Sequence, residues 1–190
     1  MRRTTKILMV LMVVLLVGQT VMAEAKVEIE GVSFKRTLEA GGVPLELRGY
    51  GLLRYMVFIK AYVGALYVAP DAGSTDVLAP VAKRLELEYF HAIKGEEFDR
   101  ATRIKIADNV TPFQFEKLQP RIEQLGALYQ DVQPGDRYSL TFLPGQGTEL
   151  ALNGKALGTI PGKDFARALF GVWLGADPID DDFRDVLLGV

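Results

Sequence analysis

The stretch from Gly49 to Val68 constrains the fold more than any other part of the chain. It reads GYGLLRYMVFIKAYVGALYV and is rich in aromatic and β-branched residues, with almost no turn residue after Gly51. Such a run is typical of extended chain buried at the centre of a sheet. Arg54 and Lys60 lie inside it, and burying a cation is costly unless an anion, several acceptors or water compensates its charge. We therefore expect Arg54 to be either structurally paired or available for an anionic ligand.

The first 23 residues are typical of a secretory signal peptide. Three cations precede an apolar run from Ile7 to Val17, and small residues end the segment at Ala23. An uncleaved membrane anchor is the alternative, but this run is shorter than the about 20 residues that span a bilayer. We predict export, to the periplasm, with cleavage after Ala23 or Ala25, and one domain over residues 24–190.

Composition narrows the chemistry of this domain. Cleavage after Ala23 removes three cations and takes the formal net charge from −2 to −5, so nucleic-acid binding has no electrostatic basis. The chain has no cysteine, which excludes disulfides and thiolate sites. His91 is the only histidine, and its place at the end of a strand favours a packed or partly exposed side chain over a catalytic one. We expect no metal and no cofactor.

The segment from Arg84 to Ile93 is the clearest strand in the sequence. Apolar residues from Leu85 to Tyr89 alternate in it with Glu86 and Glu88. This alternation predicts one packed face and one face in water, as in an antiparallel sheet that is covered on one side.

Local signals place the other elements. Strands are predicted first, helices follow in the middle, and a hairpin and further helices end the chain. The signals are the capping box at Thr111–Gln114 with a helix interrupted at Pro120, the hairpin turn Asn153–Gly154, and an acidic run at 180–182 that favours the start of the last helix. This order predicts an α+β fold with one antiparallel sheet and helices layered on one face.

The tyrosines of the central stretch and of the next strand are candidate site residues. For Tyr55, Tyr67 and Tyr89, sheet packing is the preferred interpretation. Tyr62 shares its parity with Arg54, and a guanidinium and a phenol in one apolar cleft would anchor a carboxylate. Eight extended residues span about 26 Å, so the two side chains can meet only if the chain turns, bulges or curves sharply between them.

The central stretch also carries a resemblance to a known family. The run G-Y-G-L-L-R at 49–54, followed by F-I-K-A-Y-V-G-A-L-Y-V at 58–68, resembles the chalcone isomerase-like family, and most of all its bacterial exported branch. Further motifs recur in the same order: Pro144–Thr148, Asn153–Gly154, F-A-R-A-L-F-G-V-W-L-G at 165–175 and L-L-G at 187–189. The resemblance covers about Val27 to Gly189. It implies an open-faced β-sandwich in which a ligand cleft separates a large antiparallel sheet from its helices.

The resemblance implies roles for particular residues. In plant chalcone isomerases an arginine holds a developing oxyanion, and in fatty-acid-binding members an arginine and a tyrosine hold a carboxylate. Arg54 matches the arginine and Tyr62 the tyrosine, where the plant enzymes carry threonine, and this departure favours the binding branch. The spacing from glycine to arginine is one residue longer here, so Arg48 is a second candidate. Tyr67 and Tyr89 complete the predicted ligand-binding set.

Three functions remain open on this reading. The leading hypothesis is an exported, non-catalytic binder of a fatty acid or similar anionic apolar ligand held by Arg54 and Tyr62. The second is an intramolecular lyase or isomerase in which Arg54 stabilises an oxyanion. The third is an accessory or structural protein whose cleft is filled by its own side chains. The sequence does not determine the ligand or the oligomeric state.

Overall fold

The computed structural model describes residues 25–56, 58–70 and 76–190. The predicted signal peptide at 1–23 lies outside these residues, so export and a periplasmic location stay predictions. Within the described residues, no helix combines the length and the apolar character needed to cross a membrane.

The strands form one small and one large sheet, both antiparallel. Strands β1 (Lys26–Ile29) and β2 (Val32–Lys35) form the small sheet. The large sheet holds its seven strands in chain order: β3 (Thr37–Ala40), β4 (Val43–Tyr55), β5 (Ile59–Val68), β6 (Lys83–Tyr89), β7 (Arg137–Leu143), β8 (Gly147–Leu152) and β9 (Lys155–Ile160). The helices are α1 (Gly95–Asn109), α2 (Pro112–Gly126), α3 (Lys163–Leu174) and α4 (Asp181–Leu188).

Two apolar cores hold these layers together, one on each face of the large sheet. On one face, sheet residues such as Leu85 and Leu140 pack against Phe165 and Leu169 of α3. On the other face, Val63 and its neighbours pack against the small sheet. The predicted α+β class, with an antiparallel sheet and its helices on one face, is confirmed.

The central stretch is a hairpin rather than one long strand. Met56 adopts a left-handed conformation with φ of 49°, and the amide of Phe58 donates to the carbonyl of Met56 at 2.7 Å. The chain therefore reverses between β4 and β5, which places Leu53 opposite Tyr62 and Arg54 opposite Lys60. This turn lacks a typical sequence signal, because its left-handed residue, Met56, is not a glycine, asparagine or aspartate.

The prediction that Glu86 and Glu88 face water is wrong for Glu86, which is only 8% exposed. Arg137 of β7 donates to the carboxylates of both residues, at 3.0 Å and 2.6 Å. The ring of Phe34 in β2 lies 4.6 Å from the guanidinium of Arg137. The small sheet thus covers Glu86 on the face of the large sheet that the alternation of the strand predicts to lie in water.

Several local predictions are confirmed. Thr111 and Gln114 form the capping box of α2, and Asn153 and Gly154 both adopt positive φ in the hairpin turn. The carboxylate of Asp180 caps α4 by accepting from the amide of Phe183 at 2.7 Å. Pro120 lies inside α2, which runs on as one helix rather than as two.

Candidate functional site

An apolar cavity of about 240 Å³ lies between the large sheet and the helices. Strands β5 to β8 form its floor, and α1, α3 and the residues after α2 and α3 form its walls. Its aromatic lining consists of Tyr62, Tyr89, Phe98, Tyr129, Tyr138 and Trp173. The cavity is therefore a mostly apolar space with a few hydroxyl groups on its wall.

Strand register brings three of these tyrosines together. Tyr62 is paired directly with Tyr89, and Leu87, two residues before Tyr89, is paired with Tyr138. Because alternate residues of a strand share a face, all three phenol rings point toward the helices. The ring of Tyr89 meets those of Tyr62 and Tyr138 edge to face, at centroid distances of 5.4 Å and 6.1 Å.

Tyr62 forms the most buried polar contact of the cavity. The indole Nε1 of Trp173 donates to its hydroxyl oxygen at 3.0 Å. Burial raises the pKa of Tyr62, the hydrogen bond from Trp173 opposes this, and the nearby carboxylate of Asp180 raises the pKa further. The phenol therefore stays protonated, and since its oxygen accepts from Trp173, its hydrogen remains available to donate.

Tyr89 offers a second hydroxyl. Among the residues that the structure describes, none forms a hydrogen bond with it, although the residue is only 4% exposed. Burial raises the pKa of Tyr89 as well, and the neighbouring tyrosines add to the effect. A neutral, unpartnered donor of this kind at the wall of a cavity can bind an acceptor from a ligand.

The two remaining tyrosine hydroxyls have partners. The hydroxyl of Tyr129 lies 3.0 Å from that of Thr102, and burial raises its pKa. The hydroxyl of Tyr138 donates to the carbonyl of Gln130 at 2.8 Å and accepts from its amide at 2.7 Å. The hydrogen of Tyr138 is thus already used.

Glu97 is the only charged side chain that lines the cavity within the described part of the chain. It lies in the first turn of α1, is exposed, and accepts from the amide of Lys94 at 3.3 Å. Over the same residues, no arginine, lysine or histidine lines the cavity.

The predicted burial of Arg54 is wrong. Its side chain is 47% exposed, and its Nη2 lies 3.9 Å from a carboxylate oxygen of Glu30, in the turn between β1 and β2. Leu53 shares the helix-side core with Tyr62, and Arg54, the next residue, lies near the small sheet instead. The register of the hairpin pairs Leu53 with Tyr62, so Arg54 and Tyr62 lie on opposite faces of the sheet. A ligand-binding role for Arg54 stays a prediction.

Two other predicted site residues also lie away from the cavity. Arg48 is exposed, and its Nε donates to the carbonyl of Leu188 at the end of α4, at 3.0 Å. Tyr67 is fully buried in the core beneath the small sheet, where burial raises its pKa. Of the predicted set, the structure brings only Tyr62 and Tyr89 together.

Sequence reasoning missed most of the cavity wall. Tyr129, Tyr138 and Trp173 are not among the site residues that the sequence predicts. Their positions in the chain are far apart, and only the packing of α1 and α3 on the sheet makes them converge. One chemical signal could have indicated these residues, because a buried tryptophan or tyrosine needs a hydrogen-bond partner for its N–H or O–H group.

In the described residues, no three or more histidine, aspartate or glutamate side chains are grouped so that they could hold a metal ion. His91 is exposed and does not line the cavity.

The fold and these motifs define the protein's class. The chain belongs to the chalcone isomerase-like family, whose sequence model matches residues 25–189. Among solved structures, it is similar to a fatty-acid-binding protein of Arabidopsis thaliana, with a TM-score of 0.70 and 16% identity over 86% of this chain and 96% of that chain. A search of curated proteins gives no match. The family resemblance and the open-faced sandwich are therefore confirmed, and the structural likeness at this identity concerns the fold.

Proposed function

We propose that this protein is a non-catalytic binder of an apolar molecule, a fatty acid or a similar lipid, which occupies the cavity beside Tyr62. The observation that carries the proposal is the cavity itself, with its aromatic wall and two hydroxyl donors at Tyr62 and Tyr89. Ligand sites are typically apolar concavities with a few placed polar groups. The predicted signal peptide supports a place of action in the periplasm.

The volume of the cavity limits the ligand. A cavity of about 150 Å³ holds a benzene molecule, so 240 Å³ corresponds to roughly ten non-hydrogen atoms on the same scale. The cavity is slightly smaller than the about 300–1,000 Å³ typical of ligand pockets. We infer that it encloses a medium-length chain or a single substituted ring.

Two observations favour binding over the alternatives. The lyase hypothesis relies on Arg54 to stabilise an oxyanion, and Arg54 does not line the cavity but lies near Glu30. A protein with a filled cleft would leave no such space between the sheet and α1. That the fold is shared with a fatty-acid-binding protein agrees with the binding proposal.

The proposal is tested by filling the cavity from its rim. Ala101 lies on α1 and lines the cavity, so Ala101→Phe places a ring in the ligand space. Ala107 lies on the same helix, is exposed and does not line the cavity, so Ala107→Phe is the matched control.

Binding is measured by isothermal titration calorimetry with 1-octanol, octanoic acid and butylbenzene. We expect saturable one-to-one binding of at least one of these molecules to the wild-type protein and to Ala107→Phe. Ala101→Phe should weaken that binding at least tenfold, because the added ring competes for the same volume. Absence of saturable binding of all three molecules to the wild-type protein would contradict the proposal.

A further inference from the structure

We propose that the cavity binds the polar end of its ligand as an uncharged hydrogen-bond acceptor. Its ligands are then neutral amphiphiles such as alcohols, ketones and esters, or carboxylic acids in their protonated form. This inference rests on the proposed function and replaces the anionic ligand that the family resemblance implies with a neutral one.

The first argument is the absence of a counter-charge. In the part of the chain that the structure describes, no arginine, lysine or histidine lines the cavity, and Arg54 lies on the other side of the sheet near Glu30. Moving a carboxylate from water into an apolar site without a cation costs several kcal/mol. A carboxylic acid avoids this cost by binding in its protonated form.

The second argument is the sign of the charges around the cavity. The charged side chain in its lining is the carboxylate of Glu97. Asp180 acts on the phenol of Tyr62 and Asp99 on that of Tyr129, and each raises the pKa of its tyrosine in addition to the larger effect of burial. Negative charges near the wall repel a second carboxylate and leave a neutral ligand unaffected.

The titratable groups of the lining come from each element that packs around the cavity. They are Tyr62 of β5, Tyr89 of β6, Tyr138 of β7, Glu97 of α1 and Tyr129 after α2. Helix α3 contributes Val172 and Trp173, which do not titrate. Burial raises the pKa of the four phenols, so all four remain uncharged at neutral pH.

The third argument is the supply of donors. The hydrogen of Tyr62 is available because its oxygen accepts from Trp173, and among the described residues the hydroxyl of Tyr89 has no partner at all. Both groups lie on paired positions of β5 and β6. Neutral donors in an apolar wall suit a carbonyl or hydroxyl oxygen, which they can satisfy without compensating a full charge.

The ionisation of the ligand tests the inference. We expect 1-octanol and methyl heptanoate to bind at least tenfold more tightly than octanoate at pH 8. Octanoate affinity should rise by about tenfold for each pH unit between pH 8 and pH 6, because only the protonated acid binds. The affinity for 1-octanol, which does not titrate in this range, should stay constant and controls for titration of the protein.

One variant assigns the contact. Tyr89→Phe removes a hydroxyl that has no described partner, so we expect five- to tenfold weaker binding of 1-octanol, about the worth of one hydrogen bond. Butylbenzene, which has no acceptor, should bind this variant as it binds the wild-type protein. Undiminished affinity of Tyr89→Phe for 1-octanol would overturn the assignment of the acceptor to this hydroxyl.

The inference and the proposed function fail in different ways. Octanoate binding at pH 8 that equals or exceeds that of 1-octanol and does not change with pH would overturn the inference alone. Loss of that octanoate binding in Arg54→Ala would do the same and would restore Arg54 as the anchor. If none of the molecules binds at any pH, the proposed function fails and the inference fails with it.

Discussion

Among the residues that the structure describes, Lys83 rather than Arg54 is the buried cation. It is the first residue of β6 and is 1% exposed, and its Nζ lies 4.8 Å from the ring centroid of Phe142 and 5.3 Å from that of Phe170 in α3. The ammonium donates to the carbonyls of Ala79 and Val81, at 2.8 Å and 3.0 Å. Burial lowers the pKa of Lys83 to about 8, although Asp76 acts in the opposite direction. Ala79 and Val81 lie in the segment that leads into β6, so these two hydrogen bonds give Lys83 a structural role.

This buried lysine predicts a pH dependence of stability. Its pKa is about 8 in the folded state against 10.5 in the unfolded state, so between these values the unfolded state binds more protons. Lys83 therefore destabilises the fold below pH 8, and this cost of about 3 kcal/mol disappears as the pH rises to 10.5. Urea unfolding of wild type and Lys83→Met at several pH values measures it.

We expect the free energy of unfolding of the wild-type protein to rise relative to that of Lys83→Met between pH 8 and pH 10.5. The tyrosines titrate in both proteins, so their contribution cancels in the difference. Parallel stability profiles for the two proteins would show that the ammonium is not desolvated.

At the scale of elements, α4 is held against β4 by a close backbone contact. A Cβ on Gly49 would collide with the carbonyl oxygen of Val186 and lie 2.8 Å from the carbonyl carbon of Leu187. The helix also places the ring of Phe183 5.5 Å from that of Tyr62. Gly49 thus serves helix packing, and it also lies at a register shift between β4 and β5, between Leu47 and Gly49.

Substitution of Gly49 tests this contact. Gly49→Ala should lower the free energy of unfolding by about 1–3 kcal/mol, because the backbone of α4 has to move. Gly171 in α3 is the control, since a Cβ there meets only the Cβ of Asn109 at 3.8 Å. Gly171→Ala should raise stability by up to about 1 kcal/mol through helix propensity. Equal effects of the two substitutions in urea unfolding would contradict the packing argument.

At the scale of the whole molecule, apolar contacts form on both faces of the large sheet. The helices cover one face and enclose the cavity, and the small sheet covers part of the other face, around Val63, Ala65 and Tyr67 of β5. Arg137 joins the small sheet to the large one, because it binds Glu86 and Glu88 and also donates to the carbonyl of Ser33 at 3.2 Å. This arrangement buries Glu86 on the face that strand alternation predicts to lie in water.

The contribution of Arg137 can be measured against an exposed ion pair. Arg137→Leu should lower the free energy of unfolding by about 2–3 kcal/mol, because Glu88 and the buried Glu86 lose a charged partner. Arg167→Leu breaks a pair with Asp76 in which both side chains are more than half exposed, and should cost less than about 1 kcal/mol. Similar losses in thermal or urea unfolding would mean that the small sheet does not depend on this cluster.

Much of the architecture could be predicted from the sequence because its signals are local. The capping box at Thr111, the turn at Asn153–Gly154 and the alternation around Leu87 each depend on residues a few positions apart. Family motifs spread along the chain predicted the overall fold, and the family itself is confirmed by a family model that matches residues 25–189.

The candidate site was only partly predictable, because its geometry depends on contacts between distant residues. The alternation that placed Tyr89 on a packed face is local, whereas its meeting with Trp173 and Tyr129 requires two helices to pack on the sheet. Arg54 shows the limit most clearly. The sequence determined that a cation lies in an apolar stretch. The turn at Met56, which adopts a left-handed conformation although it is not a glycine, decided that this cation, Arg54, faces Glu30. Which side chains share a cavity is a property of long-range packing, and the tertiary structure alone decided it.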